Sequence, residues 1–176
     1  VVNAFFGALI MFLVSVTGGE QIHGILFWLM GDLAMAGEND ILLAAVFLVA
    51  GFSVMVLHAR DLNILLTGEE TALQLGIPVK RTRMLLLISA SLVTGAAVSV
   101  SGIIGFVGLM VPHIVRMLFG SDHRLLLPAS LLFGGAFLMA ADTIARIVLA
   151  PAELPVGVVT ALCGAPYFAY LMKRSA

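Results

Sequence analysis

Long apolar runs, separated by short polar stretches, occupy most of this 176-residue chain. A helix needs roughly 17 to 25 apolar residues to cross a bilayer. The pattern predicts about six membrane spans, at residues 1–16, 41–58, 84–104, 106–119, 125–141 and 154–172. We therefore expect an all-α membrane protein, a polytopic transmembrane helix bundle that forms a single domain over residues 1–176. The first run is short and has no start methionine, so we expect the chain to be the C-terminal part of a longer subunit.

The stretches between the spans differ in character. Residues 21–30 are too short to cross, and with Trp28 among them they predict an interfacial helix against the headgroups. Residues 32–40 are polar and predict a loop, whereas 142–150 predict a short helix that is bounded by Pro151.

Small residues predict how the spans pack. They are frequent in the third span, where they let helix backbones approach closely, and Gly105 and Gly108 are expected to serve packing as well. In the last span, Gly157 and Gly164 occur together with Pro155 and Pro166. This combination either makes the helix locally deformable, as suits a pathway-lining helix, or allows close packing.

Composition excludes several classes of function. With 61% hydrophobic and 11% charged residues the chain is not a water-soluble domain, and its net charge of −1 argues against a nucleic-acid partner. The single Cys163 allows no internal disulfide. The sequence has no motif of an enzyme active site or phosphate-binding loop, and its four histidines are scattered, so we expect no enzyme activity and no bound metal.

Basic residues predict the orientation in the membrane. All but one of the nine fall in three clusters, which are Arg60, Lys80, Arg81 and Arg83; Arg116 and Arg124; and Lys173 and Arg174. Alternation of six spans places the three clusters on one side, which the positive-inside rule identifies as the cytoplasm. The remaining base, Arg146, falls on the acidic outer side. A charge that departs from the positive-inside distribution is a functional candidate.

Residues 61–83 predict a folded cytoplasmic segment. The T-x-x-E pattern from Thr67 to Glu70 predicts a capping box that starts a helix over 67–75. Gly76 is a typical residue just beyond a helix end, and Pro78 blocks continuation. Such a short helix cannot span a bilayer. It is either a surface loop that happens to be helical or a docking element for a partner protein.

Several blocks resemble one known family. Residues 67–78 (TGEETALQLGIP) look like the coupling segment of the FecCD family, the permeases of ABC importers for iron-siderophores, vitamin B12 and haem. Residues 102–116 (GIIGFVGLMVPHIVR) are similar to the family's G-x-I-G-F-x-G-L-x-x-P-H-x-x-R block. The blocks 122–124 (DHR), 141–146 (ADTIAR) and 153–166 (ELPVGVVTALCGAP) follow in the family's order. The resemblance covers essentially the whole chain.

The resemblance implies a BtuC-like permease fold, here in part, in a multi-pass subunit of the bacterial plasma (inner) membrane. The complete subunit would have ten spans, of which this chain holds the fifth to the tenth. Its implied partners are a cytoplasmic ABC ATPase, a periplasmic or lipoprotein substrate-binding protein, a second permease subunit, most simply in a homodimer, and membrane lipid. No cofactor is expected on this chain, because ATP is used by the partner subunit.

The resemblance also assigns residues. Those expected to couple the permease to the ATPase are Thr67, Gly68, Glu69, Glu70, Ala72, Leu75, Gly76, Ile77 and Pro78. In the family, an arginine in the A-D-x-x-A-R segment meets a glutamate of the binding protein, so Arg146 is expected to dock that protein while Asp142 orients it.

Other interpretations of these residues stay open. Asp142 and Arg146 lie four positions apart, a spacing that also fits a simple intrahelical ion pair. An ion-coupled secondary transporter with Asp142 as its intramembrane proton site is the leading alternative function. A purely structural membrane subunit is the second.

Overall fold

The computed structural model describes residues 2–16, 18–34 and 36–175, and within them the chain is helical without any strand. The helices are α1 (Val2–Val16), α2 (Gly19–Met30), α3 (Glu38–Leu57), α4 (Ala59–Leu65), α5 (Glu69–Gln74), α6 (Val79–Ser101), α7 (Val107–Phe119), α8 (His123–Val148) and α9 (Val156–Ser175). The predicted all-α fold is confirmed.

Four of the described helices are long and apolar enough to cross a membrane, and these are α3, α6, α8 and α9. They correspond to the second, third, fifth and sixth predicted spans. α1 and α7 are apolar but shorter, and they correspond to the first and fourth. Every predicted apolar run is thus a helix, although two of the runs do not reach full spanning length in the described residues.

Two predicted boundaries are wrong. α8 continues without a break through Ala141 to Val148, so 142–150 do not form a separate helix. No glycine or proline interrupts this stretch, and the first proline, Pro151, comes after the helix has ended. α6 begins at Val79, directly after Pro78, rather than at residue 84. The basic residues before 84 therefore belong to the first turns of α6.

α3 and α6 pack closely side by side. Gly51 of α3 is buried, and a Cβ atom on it would lie 2.5 Å from Val93 Cγ2 and 3.0 Å from the Ser89 carbonyl oxygen of α6. The buried Ser89 hydroxyl donates to the Leu85 carbonyl of its own helix, so it needs no partner across the contact. Small residues on both helices therefore allow the close approach that the sequence predicts for the third span.

At one end of the bundle, three distant parts of the chain are joined backbone to backbone. These are the end of α2, the non-helical connection 102–106 between α6 and α7, and the start of α9. The bonds run from Asp32 N–H to the Ser101 carbonyl (2.9 Å), from Ile103 N–H to the Trp28 carbonyl (3.2 Å), and from Gly157 N–H to the Gly31 carbonyl (3.1 Å). α2 is thus a short helix, as predicted, whose C-terminal end is fixed within the bundle.

Three glycines permit this junction. A Cβ on Gly157 would lie 1.9 Å from the Met30 carbonyl oxygen, and one on Gly102 would lie 2.1 Å from the Trp28 carbonyl oxygen. Gly31 and Gly102 also have positive φ values of 78° and 66°. Of the two interpretations of Gly157, the geometry supports close packing, since the neighbouring atoms are backbone and cannot rotate away.

α7 starts from an unusual conformation. Phe106, which precedes it, has a φ of 68°, a region that bulky residues rarely adopt and that costs about 1–3 kcal/mol. Its ring lies 6.2 Å from that of Phe168, and a Cβ on Gly164 would overlap its side chain at 2.3 Å. No described atom lies within 4 Å of a Cβ built at Gly105 or Gly108, so their expected packing role finds no partner among the described residues.

We expect Gly157→Ala to destabilise the protein by about 1–3 kcal/mol, because the added methyl group forces the backbones of α2 and α9 apart. Thermal unfolding of the purified full-length subunit in detergent measures the effect. Gly135→Ala is the matched control, since a Cβ there meets no described atom within 4 Å. Equal unfolding temperatures for the two variants would contradict the junction's importance.

Candidate functional site

The predicted coupling segment consists of two short helices, α4 and α5, between α3 and α6. α5 begins at Glu69, with Gly68 (φ 116°) as its N-cap residue and no side-chain cap. The predicted capping box is wrong: the Thr67 hydroxyl donates instead to the Ile64 carbonyl at 2.7 Å. The threonine is used to end α4 and not to start α5, so Glu70 does not occupy the position from which it could complete the box.

The end of α5 agrees with the sequence prediction. Gly76 has a φ of 80°, its N–H donates to the Leu73 carbonyl (3.0 Å), and the Ile77 N–H donates to the Ala72 carbonyl (3.0 Å). These two bonds form a Schellman motif, in which a glycine in the left-handed region closes the helix. Because a Cβ at Gly76 would meet no described atom within 4 Å, only its backbone conformation constrains the position.

The segment has a small apolar core of its own. Ala72, Ile77 and Val79 are buried, and Ile64 and Leu65 of α4 pack against them. Two predicted coupling residues, Ala72 and Ile77, therefore stabilise the segment internally and offer little surface. The exposed side chains include Leu73 and Leu75, at 61% and 63% exposure, so the outer face of the segment is partly apolar. Leu73 was not among the residues assigned by the resemblance.

Two side-chain contacts tie the segment to neighbouring spans. Glu69 of α5 forms an exposed ion pair with Arg83 of α6. Asn63 of α4 donates through Nδ2 to Asp122 Oδ1 (2.6 Å), and its Oδ1 lies 2.8 Å from both the N and the Nδ1 of His123. Sequence reasoning missed Asn63. The available signal was a single amide between Leu62 and the apolar run 64–66, which indicates a specific partner.

Asp122 occupies the N-cap of α8, where its carboxylate accepts from the Arg124 N–H at 3.0 Å. This bond and the amide of Asn63 hold the pKa of Asp122 below its ordinary value. Because the pKa of Asp122 is lower in the folded state, the group stabilises the fold at pH values above its pKa in the unfolded state. This contribution is lost as the pH falls through its pKa in the folded state. The contact between α4 and α8 is thus built around an ionised carboxylate at neutral pH.

The predicted docking residues lie near the opposite end of α8. Arg146 Nε donates to Asp142 Oδ2 at 2.8 Å, as their spacing predicts. The terminal Nη1 is 4.0 Å from Glu153 Oε1, and Asp32 contributes to the negative field at the same guanidinium. The arginine side chain remains 44% exposed. Asp142 therefore orients Arg146 through Nε, and the outer part of the guanidinium remains accessible.

Metal binding finds no support in the described residues, where no three His, Cys, Asp or Glu side chains lie close enough to hold an ion. The chemistry-bearing residues instead form two polar sites at the two ends of a helix bundle. α8 connects these sites, because Asp122 precedes its first residue and Arg146 lies in its last turn.

The architecture is that of a polytopic membrane helix bundle with a folded segment at one polar end. The FecCD transport family matches residues 1–174, and the chain belongs to this family. The expected resemblance is confirmed.

Named relatives are permease proteins. The chain is 52% identical over 172 residues to the cobalamin import system permease protein BtuC of Halobacterium salinarum, covering 98% of this chain and 46% of the relative. It is 44% identical over 174 residues to the uncharacterized ABC transporter permease protein YvrB of Bacillus subtilis, covering 99% and 49%. Identity to the hemin transport system permease protein HmuU of Yersinia pestis is 43% over 173 residues, covering 98% and 52%. The chain spans about half the length of these relatives.

A solved structure supports the same fold. An ABC transporter assigned to the metal-chelate type, in an inward-facing conformation, superimposes with a TM-score of 0.88 at 34% identity, covering 97% of this chain and 56% of that chain. The BtuC-like permease fold expected from the sequence is therefore confirmed.

We expect Gly76→Val to destabilise the end of α5 by about 1–2 kcal/mol, since a β-branched residue is strained at a φ of 80°. Gly76→Asn is the matched control, because asparagine tolerates the left-handed region. If the segment couples transport to a partner ATPase, Gly76→Val should reduce transport per ATP hydrolysed in the assembled full-length subunit, while Gly76→Asn retains it. Equal coupling in both variants would show that the Schellman geometry does not matter.

Proposed function

We propose that this chain is the C-terminal part of the permease subunit of an ABC importer, which moves iron-siderophore, cobalamin or haem-type metal chelates inward and is powered by a partner ATPase. The observation that carries the proposal is the coupling segment. It is a folded unit with its own core and an exposed apolar face, attached to two spans at the basic end of the bundle.

Force from a partner can reach the spans through this segment. α5 is closed by the Schellman motif at one end, and its core is anchored at Val79, the first residue of α6. The exposed leucines suit an apolar interface with a protein, since apolar contact area contributes most to such interfaces. A partner that moves α5 would therefore move the base of α6. The residues proposed to present this interface are Thr67, Gly68, Glu69, Glu70, Leu73, Leu75, Gly76 and Pro78.

The assembly follows from the class. We infer a multi-pass subunit in a bacterial inner membrane that pairs with a second permease subunit, takes substrate from an external binding protein, and contacts an ABC ATPase on the cytoplasmic side. ATP binding and hydrolysis belong to that ATPase. The names of the relatives support this assignment, because they are the permeases of a cobalamin import system and of a hemin transport system.

The alternatives gain no support. An ion-coupled carrier would use Asp142 as a proton site, but this carboxylate is engaged by the Arg146 guanidinium at 2.8 Å. A purely structural subunit gives no reason for a separately folded segment with exposed leucines. The relatives named above are transport proteins.

Uptake of a metal chelate into proteoliposomes that contain the full-length subunit, its ATPase and its binding protein tests the proposal. We expect accumulation to require ATP and to be abolished by vanadate, because the partner's hydrolysis drives the cycle. A protonophore should leave it intact. Inhibition by the protonophore without vanadate sensitivity would favour the ion-coupled alternative and contradict the proposal.

We further propose that Arg146 docks the binding protein through a carboxylate. The guanidinium is exposed, oriented by Asp142 and surrounded by acidic residues of its own chain. It is therefore the position at which this acidic face can attract a partner's negative charge. Charge pairs at the rim of an interface affect recognition and association rate more than total affinity, and they weaken as salt rises.

We expect Arg146→Glu to slow binding-protein association roughly tenfold at low salt, and more than Arg146→Ala, because repulsion is added to lost attraction. A charge-reversed binding protein should recover part of the loss. Asp142→Ala is the control that separates docking from helix pairing, since it removes the acceptor of the same intrahelical contact but keeps the arginine. If Asp142→Ala and Arg146→Ala slow association equally, Arg146 is only a helical partner of Asp142.

A further inference from the structure

We propose that Asn63 is a positioning residue that joins the coupling segment to α8, so that the ATPase-facing and docking-facing ends of the permease move together. The inference rests on the proposed function and adds the connection between its two sites. It is carried by the three hydrogen-bond contacts between Asn63 and the start of α8.

The side chain of Asn63 uses both halves of its amide. Nδ2 donates to Asp122 Oδ1 at 2.6 Å, and Oδ1 accepts from the backbone N–H of His123 at 2.8 Å. The same oxygen lies 2.8 Å from His123 Nδ1, which pairs with it when that ring nitrogen carries a proton. An aspartate at position 63 would bring two carboxylates together, and a leucine would supply neither donor nor acceptor.

These bonds make α4 part of the cap of α8. The first N–H groups of a helix have no partner within the helix. Asp122 satisfies the Arg124 N–H, and Asn63 satisfies that of His123, the first residue of α8. The cap is therefore shared between residues 59 or more positions apart in the chain. α4 cannot move away from α8 without leaving these groups to find other partners, so the two elements are expected to shift as one body.

α8 can carry such a shift across the bundle. Its 26 residues form one helix about 39 Å long, which ends next to the docking residues. The segment that follows α8 is joined to the same helix end, because the Leu154 N–H donates to the Ala145 carbonyl at 3.3 Å. A displacement at Asn63 is thus connected through hydrogen bonds and a continuous helix to the surface around Arg146 and Glu153.

The test measures how strongly the binding protein stimulates ATP hydrolysis by the full-length subunit assembled with its ATPase. We expect Asn63→Asp to lower the ratio of stimulated to unstimulated hydrolysis about fivefold or more, and Asn63→Leu to do the same without adding charge. Asp122→Asn should lower the ratio less than Asn63→Asp does, since an amide there still accepts from Asn63 and Arg124 but no longer carries the charge. The double variant Asn63→Asp with Asp122→Asn reverses the donor and acceptor between the positions and should recover the ratio.

Asn39→Asp, an exposed position in the first turn of α3, is the matched control for the same chemical change. If assembled Asn63→Leu complexes keep the wild-type ratio, or if the double variant stays as low as Asn63→Asp, the proposal is overturned. A merely structural role would lower unfolding temperature without this pattern of ratios. Absence of any stimulation in the wild type would instead contradict the proposed function.

Discussion

Backbone groups in the interior of a membrane protein must find partners within the protein, because hydrocarbon offers none. The connection 102–106 between α6 and α7 is non-helical, so its backbone groups need hydrogen-bond partners from other parts of the chain. The end of α2 supplies partners there, since the Trp28 carbonyl accepts from the Ile103 N–H and the Asp32 N–H donates to the Ser101 carbonyl. The Gly31 carbonyl accepts in turn from the Gly157 N–H at the start of α9. These close backbone contacts leave no room for side chains at Gly102 and Gly157.

The end of the bundle that carries the coupling segment is organised in a different way. There the contacts between elements are made by side chains in a polar setting, namely the pair between Glu69 and Arg83 and the amide of Asn63. Close backbone packing suits an end of the bundle that keeps its conformation. Exposed polar contacts, by contrast, can be replaced by contacts with water at small cost in free energy. The contrast fits the proposed mechanism, in which motion enters at the coupling segment and is passed along α8.

Much of this architecture is predictable from the chain because its signals are local. Apolar length marks the spans, and the charge clusters mark the polar ends. Gly76 followed by Pro78 marks the end of α5, and the spacing of Asp142 and Arg146 gives their ion pair. The start of α5 is not predictable in the same way, since the Thr67 hydroxyl can serve either neighbouring helix and tertiary packing selects α4. The junction of α2 with α9 is marked in the sequence only by glycines. The partner of Asn63 is distant from it in the sequence, so no local pattern predicts their contact.

The core of the coupling segment draws on residues that are neighbours in sequence, from Ile64 to Val79. Contacts of such short range form quickly, so the segment is expected to fold in water as soon as it leaves the ribosome. In the proposed assembly, its exposed leucines then stay uncovered until the partner ATPase binds. A subunit without its partner would therefore display an apolar surface to chaperones and proteases, and its lifetime in the cell would depend on the supply of ATPase.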